Sequence, residues 1–379
     1  MGCDQNPKDE DTSLYLRGEG KGENNMQPVN ENRTNAPTVI RKNLRDISGK
    51  ELREMLSEMG QPAFRAKQIE SWVWEKGVSS IDEMTNLPKT LREALKEQCS
   101  FGETIQAACQ RSSDGSRKYL LQFADGTTVE CVGMPSDKRL TVCASTQAGC
   151  GMGCAFCATG AAGLTRSLSA GEIFEQVAHV RDDFGTRVTG VVLMGQGEPF
   201  ANYEATLSAL RRLNSSNGMG IGARHLTVST CGIIPMITRF SREPEQFTLA
   251  VSLHSAVQRT RDALMPGVRK YSLLRLYDAM GEYTSRTGRR PTYEYALIKG
   301  VNDSDEELSY LCDFCKDTLC HVNIIQLNDV PGSKFQPATV HRANDFVRRL
   351  ANVGVEATIR QSRGADIDAA CGQLRQRLS

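Results

Sequence analysis

Three cysteines crowd into one short run, Cys150-Gly-Met-Gly-Cys154-Ala-Phe-Cys157, and such a concentration of soft ligands calls for a chemical explanation. Three thiolates supplied by a single loop suit an iron–sulfur cubane with one iron left open to a small chelating ligand. A structural zinc site completes a tetrahedron, usually with paired Cys-x-x-Cys or His partners. The nearest such pair, Cys312 and Cys315, lies far along the chain on an expected helix, where an i, i+3 spacing marks one buried face. The glycines between the first two cysteines let the backbone wrap a bulky ligand closely. The spacing therefore favours a cluster on Cys150, Cys154 and Cys157 over zinc.

The thirteen cysteines are an odd number in a chain of 379 residues, far too long to be a disulfide-stapled miniprotein. Reduced thiols, some of them binding metal, fit better. Cys3, Cys99, Cys109, Cys131, Cys231 and Cys320 stand alone in sequence, and a lone cysteine is expected to be a small buried hydrophobe.

Such a loop needs a scaffold, and the hydrophobic pattern supplies one. From Leu140 the chain alternates strand and helix, with strands expected at 140–145, 191–194, 226–230, 249–253, 292–298 and 322–327. Six such units imply an α/β fold, a parallel sheet closed or partly closed into a (β/α)6 barrel. Chemistry in a barrel of this kind sits at the carboxyl ends of the strands, where the strand-to-helix loops converge. The cysteine loop follows the first strand. Gly197-Glu198-Pro199 follows the second, Ser229-Thr230 ends the third, Ser252-Leu253-His254 ends the fourth, and Asn328 follows the sixth.

Upstream the pattern changes. Residues 1–40 are polar, with almost no apolar periodicity, and are expected to be a disordered tail. Residues 41–100 carry three amphipathic helices, at 49–59, 64–76 and 88–98, and form a helical accessory domain. Residues 101–136 hold alternating segments broken by Asp114-Gly115 and Asp125-Gly126, turn dipeptides that predict a small antiparallel β extension. Residues 137–379 make the barrel and its C-terminal loop.

Hydrophobic residues at 39% and charged residues at 24% are ordinary globular values, and no apolar run reaches the length of a membrane span. The net charge of +1 neither demands nor excludes a polyanionic partner, so any nucleic-acid surface must be local. The start Met-Gly-Cys is close to a myristoylation signal, but Asn6 stands where Ser or Thr is required. A cytoplasmic protein without targeting peptide or membrane contact is expected.

The Cys-x3-Cys-x2-Cys loop on a βα barrel is similar to that of the radical S-adenosylmethionine (SAM) superfamily. Residues 43–379 resemble more specifically the RlmN/Cfr family of radical SAM RNA adenine methyltransferases, and the RlmN branch above all. The resemblance rests on Val142-Cys143-Ala-Ser-Thr-Gln-Ala-Gly-Cys150, Met194-Gly-Gln-Gly-Glu198-Pro199, Val228-Ser-Thr-Cys-Gly-Ile-Ile-Pro235, Ser252-Leu253-His254 and Gly364-Ala-Asp-Ile-Asp-Ala-Ala-Cys371-Gly-Gln-Leu374. It implies a [4Fe–4S] cluster on Cys150, Cys154 and Cys157, and S-adenosylmethionine chelated to the open iron. Gly197 and Glu198 would contact the methionine end of that cofactor, with Ser229, Ser252, Leu253, His254 and Asn328 lining the rest of its pocket.

The implied chemistry is demanding because an sp² adenine carbon has no lone pair to attack a methyl sulfonium. In the family a first S-adenosylmethionine methylates a C-terminal cysteine, here Cys371, and a second provides a deoxyadenosyl radical that activates the methyl group, so two are used per turnover. Glu130 corresponds to the general base, and Cys143 to the thiol that attacks the sulfur of Cys371 and closes a disulfide as methylated RNA departs. Gly364 and Gly372 suggest that Cys371 rides on a mobile loop. The implied substrate is adenine in 23S rRNA, with tRNA as a second substrate. The implied partners are an electron donor such as flavodoxin or ferredoxin and a thiol reductant, and a monomer is expected.

The RlmN-like reading makes 2-methyladenine in 23S rRNA, and Cfr-type C8 methylation, which uses the same residues, is the nearest rival. A non-catalytic, zinc-dependent RNA-binding protein is the rival from another class. The helical domain carries Arg53, Arg65, Lys67, Lys76, Lys89, Arg92 and Lys96 with Trp72 and Trp74 among them. Interleaved glutamates make this a solvated charged face on residues alone, whereas the family implies an RNA-binding surface of cations and stacking rings.

Overall fold

The computed structural model describes residues 41–102, 104–328 and 333–374, so the expected tail at 1–40, with Cys3, lies outside the described residues. Helix α1 (Gly49–Glu58) buries Leu52, Met55 and Leu56, and its first turn is closed by a reciprocal Ser48/Glu51 capping box. Helix α2 (Phe64–Glu70) gives way at Ser71–Glu75 to a π-helical turn where the sequence predicts an unbroken helix to residue 76. The wider turn carries Val73 and Trp74 into the core. Pro88, expected inside the first turn of the next helix, is instead the N-cap of α3 (Lys89–Gln98).

Four antiparallel strands follow: β1 (Ile105–Arg111), β2 (Arg117–Gln122), β3 (Thr128–Ser136) and β4 (Arg139–Cys143). Gly115 and Gly126 turn the first two hairpins at φ of 85° and 82°, as their Asp-Gly dipeptides predict. From β4 the sheet continues in parallel through β5 (Gly190–Leu193), β6 (Leu226–Thr230), β7 (Thr248–Ser252), β8 (Thr292–Leu297), β9 (His321–Gln326) and β10 (Glu356–Arg360). Strand order is the chain order throughout, β10 to β1, in one open ten-stranded sheet. The β extension and the barrel therefore share one sheet.

All six expected barrel strands are present, and β10 adds a seventh that the sequence pattern did not reveal. Its run Glu-Ala-Thr-Ile-Arg is half-exposed and mostly polar, and it ends in a charged residue that faces the barrel interior. Crossover helices α4 (Ala170–Phe184), α5 (Tyr203–Asn214), α6 (Ile234–Phe240), α7 (Leu273–Thr287), α8 (Asp305–Cys315) and α9 (Val340–Asn352) separate the parallel strands. Their buried faces pack with the outward strand residues; Tyr293, for example, meets Phe314 edge-on at 5.5 Å.

The helical module is clamped to α4. Buried Arg45 pairs with Glu175 and donates to the Val78 carbonyl at 2.8 Å, while Asp46 accepts the Gly171 N–H at 2.9 Å. Trp74 stacks edge-on against Phe174 at 5.0 Å.

Candidate functional site

The loop after β4 first forms a short hairpin, Gln147–Gly149 against Leu164–Ser167. Gly149 turns at φ 77°, and a Cβ there would lie 2.0 Å from the Gly163 carbonyl oxygen, so only glycine fits. The Gly163 oxygen also receives the Cys150 N–H at 2.7 Å, and the Cys157 N–H donates to Cys154 at 3.1 Å. Three half-buried thiols thereby face one cavity of about 900 Å³ at the carboxyl ends of the parallel strands. All three are free, and three thiols lining one cavity can hold a cubane and leave one corner for a chelator.

Beside the thiols the backbone after β5 turns sharply at Gly197, φ 100°, where a Cβ would collide with Gln147 at 2.6 Å. The turn buries Glu198. Its Oε2 accepts the Cys231 N–H at 2.7 Å and its Oε1 the Phe200 N–H at 2.9 Å, while its own N–H donates to Gln147 Oε1 at 2.9 Å. Burial pushes the carboxyl pKa up and the backbone donors oppose that push.

Ser229 and Ser252 line the same cavity at the ends of β6 and β7. His254 does so from a left-handed conformation, φ 55°, with Nδ1 accepting the Ala296 N–H at 3.0 Å. Burial and the Arg261 charge hold its pKa down at about 3, so the ring is neutral and carries its proton on Nε2. Phe156, from the cysteine loop, meets the His254 ring edge-on at 4.8 Å. Leu253 differs from the rest: it is wholly buried and does not line the cavity, and its N–H is anchored to the Glu294 carbonyl between Ser252 and His254, which do. Asn328 lines the cavity and donates from Nδ2 to the Cys371 carbonyl at 3.4 Å.

A second cavity, of about 550 Å³, adjoins the first. Met194, Ile325, Asn328, Arg360 and Cys371 line both, so Cys371 stands at their junction. Cys143, at the end of β4, faces only the second cavity. It packs with Val132, Ala369 and Leu374, and burial together with Cys371 raises its thiol pKa to about 12, opposed by the Arg360 charge.

The segment bearing Cys371 is expected to be mobile, but it is tied down at both ends. Asp366 accepts from Ser112 Oγ at 2.6 Å and the Ser113 N–H at 3.0 Å, the Ala158 N–H donates to Gly372 at 2.8 Å, and Thr159 Oγ1 to Leu374 at 2.8 Å. Its turns use the left-handed glycines Gly364 and Gly372 for shape.

Glu130 lies on β3, on the same face as Val132 and Met134. It is buried, ion-paired with Lys118 at 3.2 Å, and lines neither cavity. Lys118 reaches on to the Asp368 carbonyl at 3.3 Å, which links Glu130 to the Cys371 segment.

Several cavity residues escaped the sequence reading. Cys231, expected to be an inert lone thiol, lines the cavity with its sulfur 4.0 Å from that of Cys154. Its place next to Ser229-Thr230 at a strand end was the available signal. Glu294 and Arg360 point inward from β8 and β10, where the strand pattern does not distinguish inward from outward. Cys99, Cys131 and Cys320 are buried as expected, and Cys312 and Cys315 lie on the buried side of α8. Trp74 lies in the core under Arg212 at 4.6 Å and cannot stack on a base, whereas Trp72 is half-exposed and covered by Lys76 at 3.3 Å. No helix among the described residues is long and apolar enough to cross a membrane.

Comparison with known proteins places this geometry. Residues 42–101 match the Ribosomal RNA large subunit methyltransferase N-terminal domain, and residues 144–311 match the Radical SAM superfamily. A protein of Clostridium perfringens named "Probable dual-specificity RNA methyltransferase RlmN" is 43% identical over 337 residues, 88% of this chain and 97% of the relative. One of Pelotomaculum thermopropionicum with the same name is 46% identical over 339 residues, 89% of this chain and 92% of the relative. The crystal structure of a radical SAM methyltransferase from Sphaerobacter thermophilus superposes with a TM-score of 0.85 at 44% identity, covering 89% of this chain and all of that one.

Proposed function

The chain belongs to the RlmN family of radical SAM RNA methyltransferases, and on that premise we propose that it makes 2-methyladenine in 23S rRNA and in tRNA through a methylated Cys371. The observation that carries the reading is the position of Cys371 at the junction of two cavities, the three-thiol pocket on one side and Cys143 on the other. The dual-specificity names of the relatives support more than one RNA specificity.

Cys150, Cys154 and Cys157 hold the [4Fe–4S] cluster, and Glu198 with the Gly197 turn receives the amino-acid end of S-adenosylmethionine. Ser229, Ser252, His254, Asn328 and the backbone at Leu253 enclose the remainder. Bound together, cluster and cofactor supply the methyl group and the radical that activates it. Cys371 carries the methyl group and presents it to the base. Asn328, on its carbonyl, fixes the height of that residue at the cavity junction.

Glu130 takes the proton from the substituted carbon, and Lys118 orients its carboxylate and ties it to the Cys371 segment. Cys143 then attacks the sulfur of Cys371; the carbon–sulfur pair stays with carbon, which takes up a proton and becomes the product methyl group, a disulfide forms, and two electrons must return to it from a cellular thiol reductant. Cys143 is kept as a thiol by burial, and the neighbouring Arg360 guanidinium favours the thiolate when attack is due. A reduced flavodoxin or ferredoxin serves as electron donor, and the chain acts as a cytoplasmic monomer. Phosphates are met by the exposed cations of the helical module, with Trp72 as the one tryptophan of the pair near the surface.

Anaerobically reconstituted protein incubated with S-adenosylmethionine and RNA tests the reading. A nucleoside digest should contain 2-methyladenosine; 8-methyladenosine would assign the other position, and unmodified RNA from cluster-loaded protein would sink the proposal. Cys143→Ala should stall after carbon–carbon bond formation and leave a protein–RNA species on a denaturing gel that ribonuclease collapses. The double variant Cys143→Ala, Cys371→Ala should show none. A folded, cluster-loaded Cys143→Ala protein with normal product yield would remove Cys143 from the mechanism.

A further inference from the structure

Cys231 carries a thiol that the proposed roles leave unused. Its backbone is fixed from both sides: its N–H donates to Glu198 Oε2 at 2.7 Å, and its carbonyl accepts from the buried Arg261 guanidinium at 2.7 Å. Any residue offers those two backbone groups, so neither bond accounts for a sulfur at this position. The sulfur stands half-buried at the larger cavity, 4.0 Å from the sulfur of Cys154, which lines the same cavity. Cys154 is anchored independently. Gly153 turns at φ 61° before it, and after it the Ala155 N–H donates to the Leu264 carbonyl at 2.9 Å.

Two thiols brought into contact by separately anchored segments are a preorganised pair. A disulfide holds its sulfurs about 2 Å apart, and rotation of a cysteine side chain moves its sulfur by an amount comparable to the gap that remains here. Cys154 cannot serve iron and a disulfide at once, so the two sulfurs join only when the cluster is lost. A bare thiol facing an open cavity is then exposed to oxidation as far as sulfinic acid, from which it does not return, whereas a disulfide is reopened by thiols.

We propose that Cys154 and Cys231 form a reversible oxidation site, a disulfide that keeps the ligand thiol recoverable after cluster loss. The step is exchange with a small-molecule disulfide of the glutathione class. The Cys154 thiolate attacks one of its sulfurs, a mixed disulfide forms and one small thiolate leaves. The Cys231 thiolate then attacks Cys154 Sγ, the protein disulfide forms and the second small thiolate leaves. The pair has given two electrons to the oxidant, and its two protons pass through solvent to the released thiolates. Two equivalents of a cellular thiol run the exchange backwards. This bond is separate from the pairing of Cys143 with Cys371 in turnover, because Cys143 faces only the second cavity. The inference rests on the reading of Cys154 as a cluster ligand.

Cluster-loaded, full-length protein exposed to air and oxidised glutathione until its iron–sulfur absorbance is gone tests the proposal. Acid quenching, alkylation of free thiols and non-reducing peptide sequencing by mass spectrometry then identify the partner of each cysteine. Cys154 should be joined to Cys231 in most chains, and thiol reduction followed by iron and sulfide should restore nearly all the original iron. Cys231→Ser should load iron as the unmodified protein does before exposure, then recover at least about two-fold less of it, with sulfinic acid at Cys154. In the unmodified protein, Cys154 joined instead to Cys150, Cys157 or glutathione, or over-oxidised beside an alkylated Cys231, overturns the inference, and this arm needs no variant to fold. Equal iron recovery by Cys231→Ser and unmodified protein overturns it as well. If Cys231→Ser fails to load iron before any exposure, Cys231 serves the cluster itself and the oxidation site is wrong. Failure of the unmodified protein to load iron, read before oxidant is added, would overturn the cluster reading and this inference with it.

Discussion

Cys150, Cys154 and Cys157 are the three loop thiols that line the cavity, so no spare ligand replaces a lost one among the loop residues. Each single Cys→Ala variant should fall from about four irons per chain to well below one, measured by iron assay and absorbance near 400 nm. Full loading in any of the three would move the cluster elsewhere. Cys231, whose sulfur lies 4.0 Å from that of Cys154, is the neighbouring thiol placed to compensate. His254 carries a pH dependence of definite sign. Its pKa falls from 6.5 to about 3 on folding because burial and Arg261 oppose a charged ring. The unfolded chain therefore binds more protons between those values, and stability present above pH 6.5 is lost as pH falls, by about 1.4 kcal/mol per unit. Denaturant midpoints at pH 7, 5.5 and 4.5 should decline less steeply for His254→Gln than for the unmodified protein. Parallel declines would mean that the ring charges without cost.

At the level of elements, two glycines of the cysteine loop separate shape from strain. Both adopt left-handed φ, but a Cβ on Gly149 would meet the Gly163 carbonyl at 2.0 Å, whereas a Cβ on Gly163 meets nothing within 4 Å. Gly163→Ala should cost only the backbone strain, about 1 kcal/mol, and keep its iron. Gly149→Ala must push the hairpin apart next to Cys150, and its iron content should drop by more than half. Equal loading of the two variants would show that the hairpin does not set the thiol positions. The clean strands of the barrel were legible because apolar runs such as that in Gly190–Leu193 are bounded by turns and followed by helices. Strand β10 and the π-helical turn were not: both depend on packing against neighbours that the local pattern does not contain.

Across the whole molecule, the C-terminal segment is brought over the barrel mouth by a hairpin 254 residues away. Asp366 reaches the Ser112–Ser113 turn between β1 and β2, and those donors hold its carboxyl below the usual range. Asp366→Ala should raise amide exchange across residues 364–374 by about tenfold or more and lower RNA methylation, with iron content unchanged. Unchanged exchange would assign the anchoring to Thr159 and Ala158 at the far end of the segment.

The cluster loop, the parallel strand order and the family are written locally in this sequence. Eight contiguous residues carry the thiols, and each strand–helix unit announces itself through its own apolar period. What no local pattern contains is the meeting of distant parts: Cys371 with Cys143, Lys118 with Glu130, and Glu294 with Asn323 and Arg360. Those pairs are set by strand register and by where a folded segment is pinned. Sequence alone could not show that Trp74 is spent in the core, that Cys231 borders the thiols, or that the Cys371 segment is anchored, because burial and partnership belong to the packed chain.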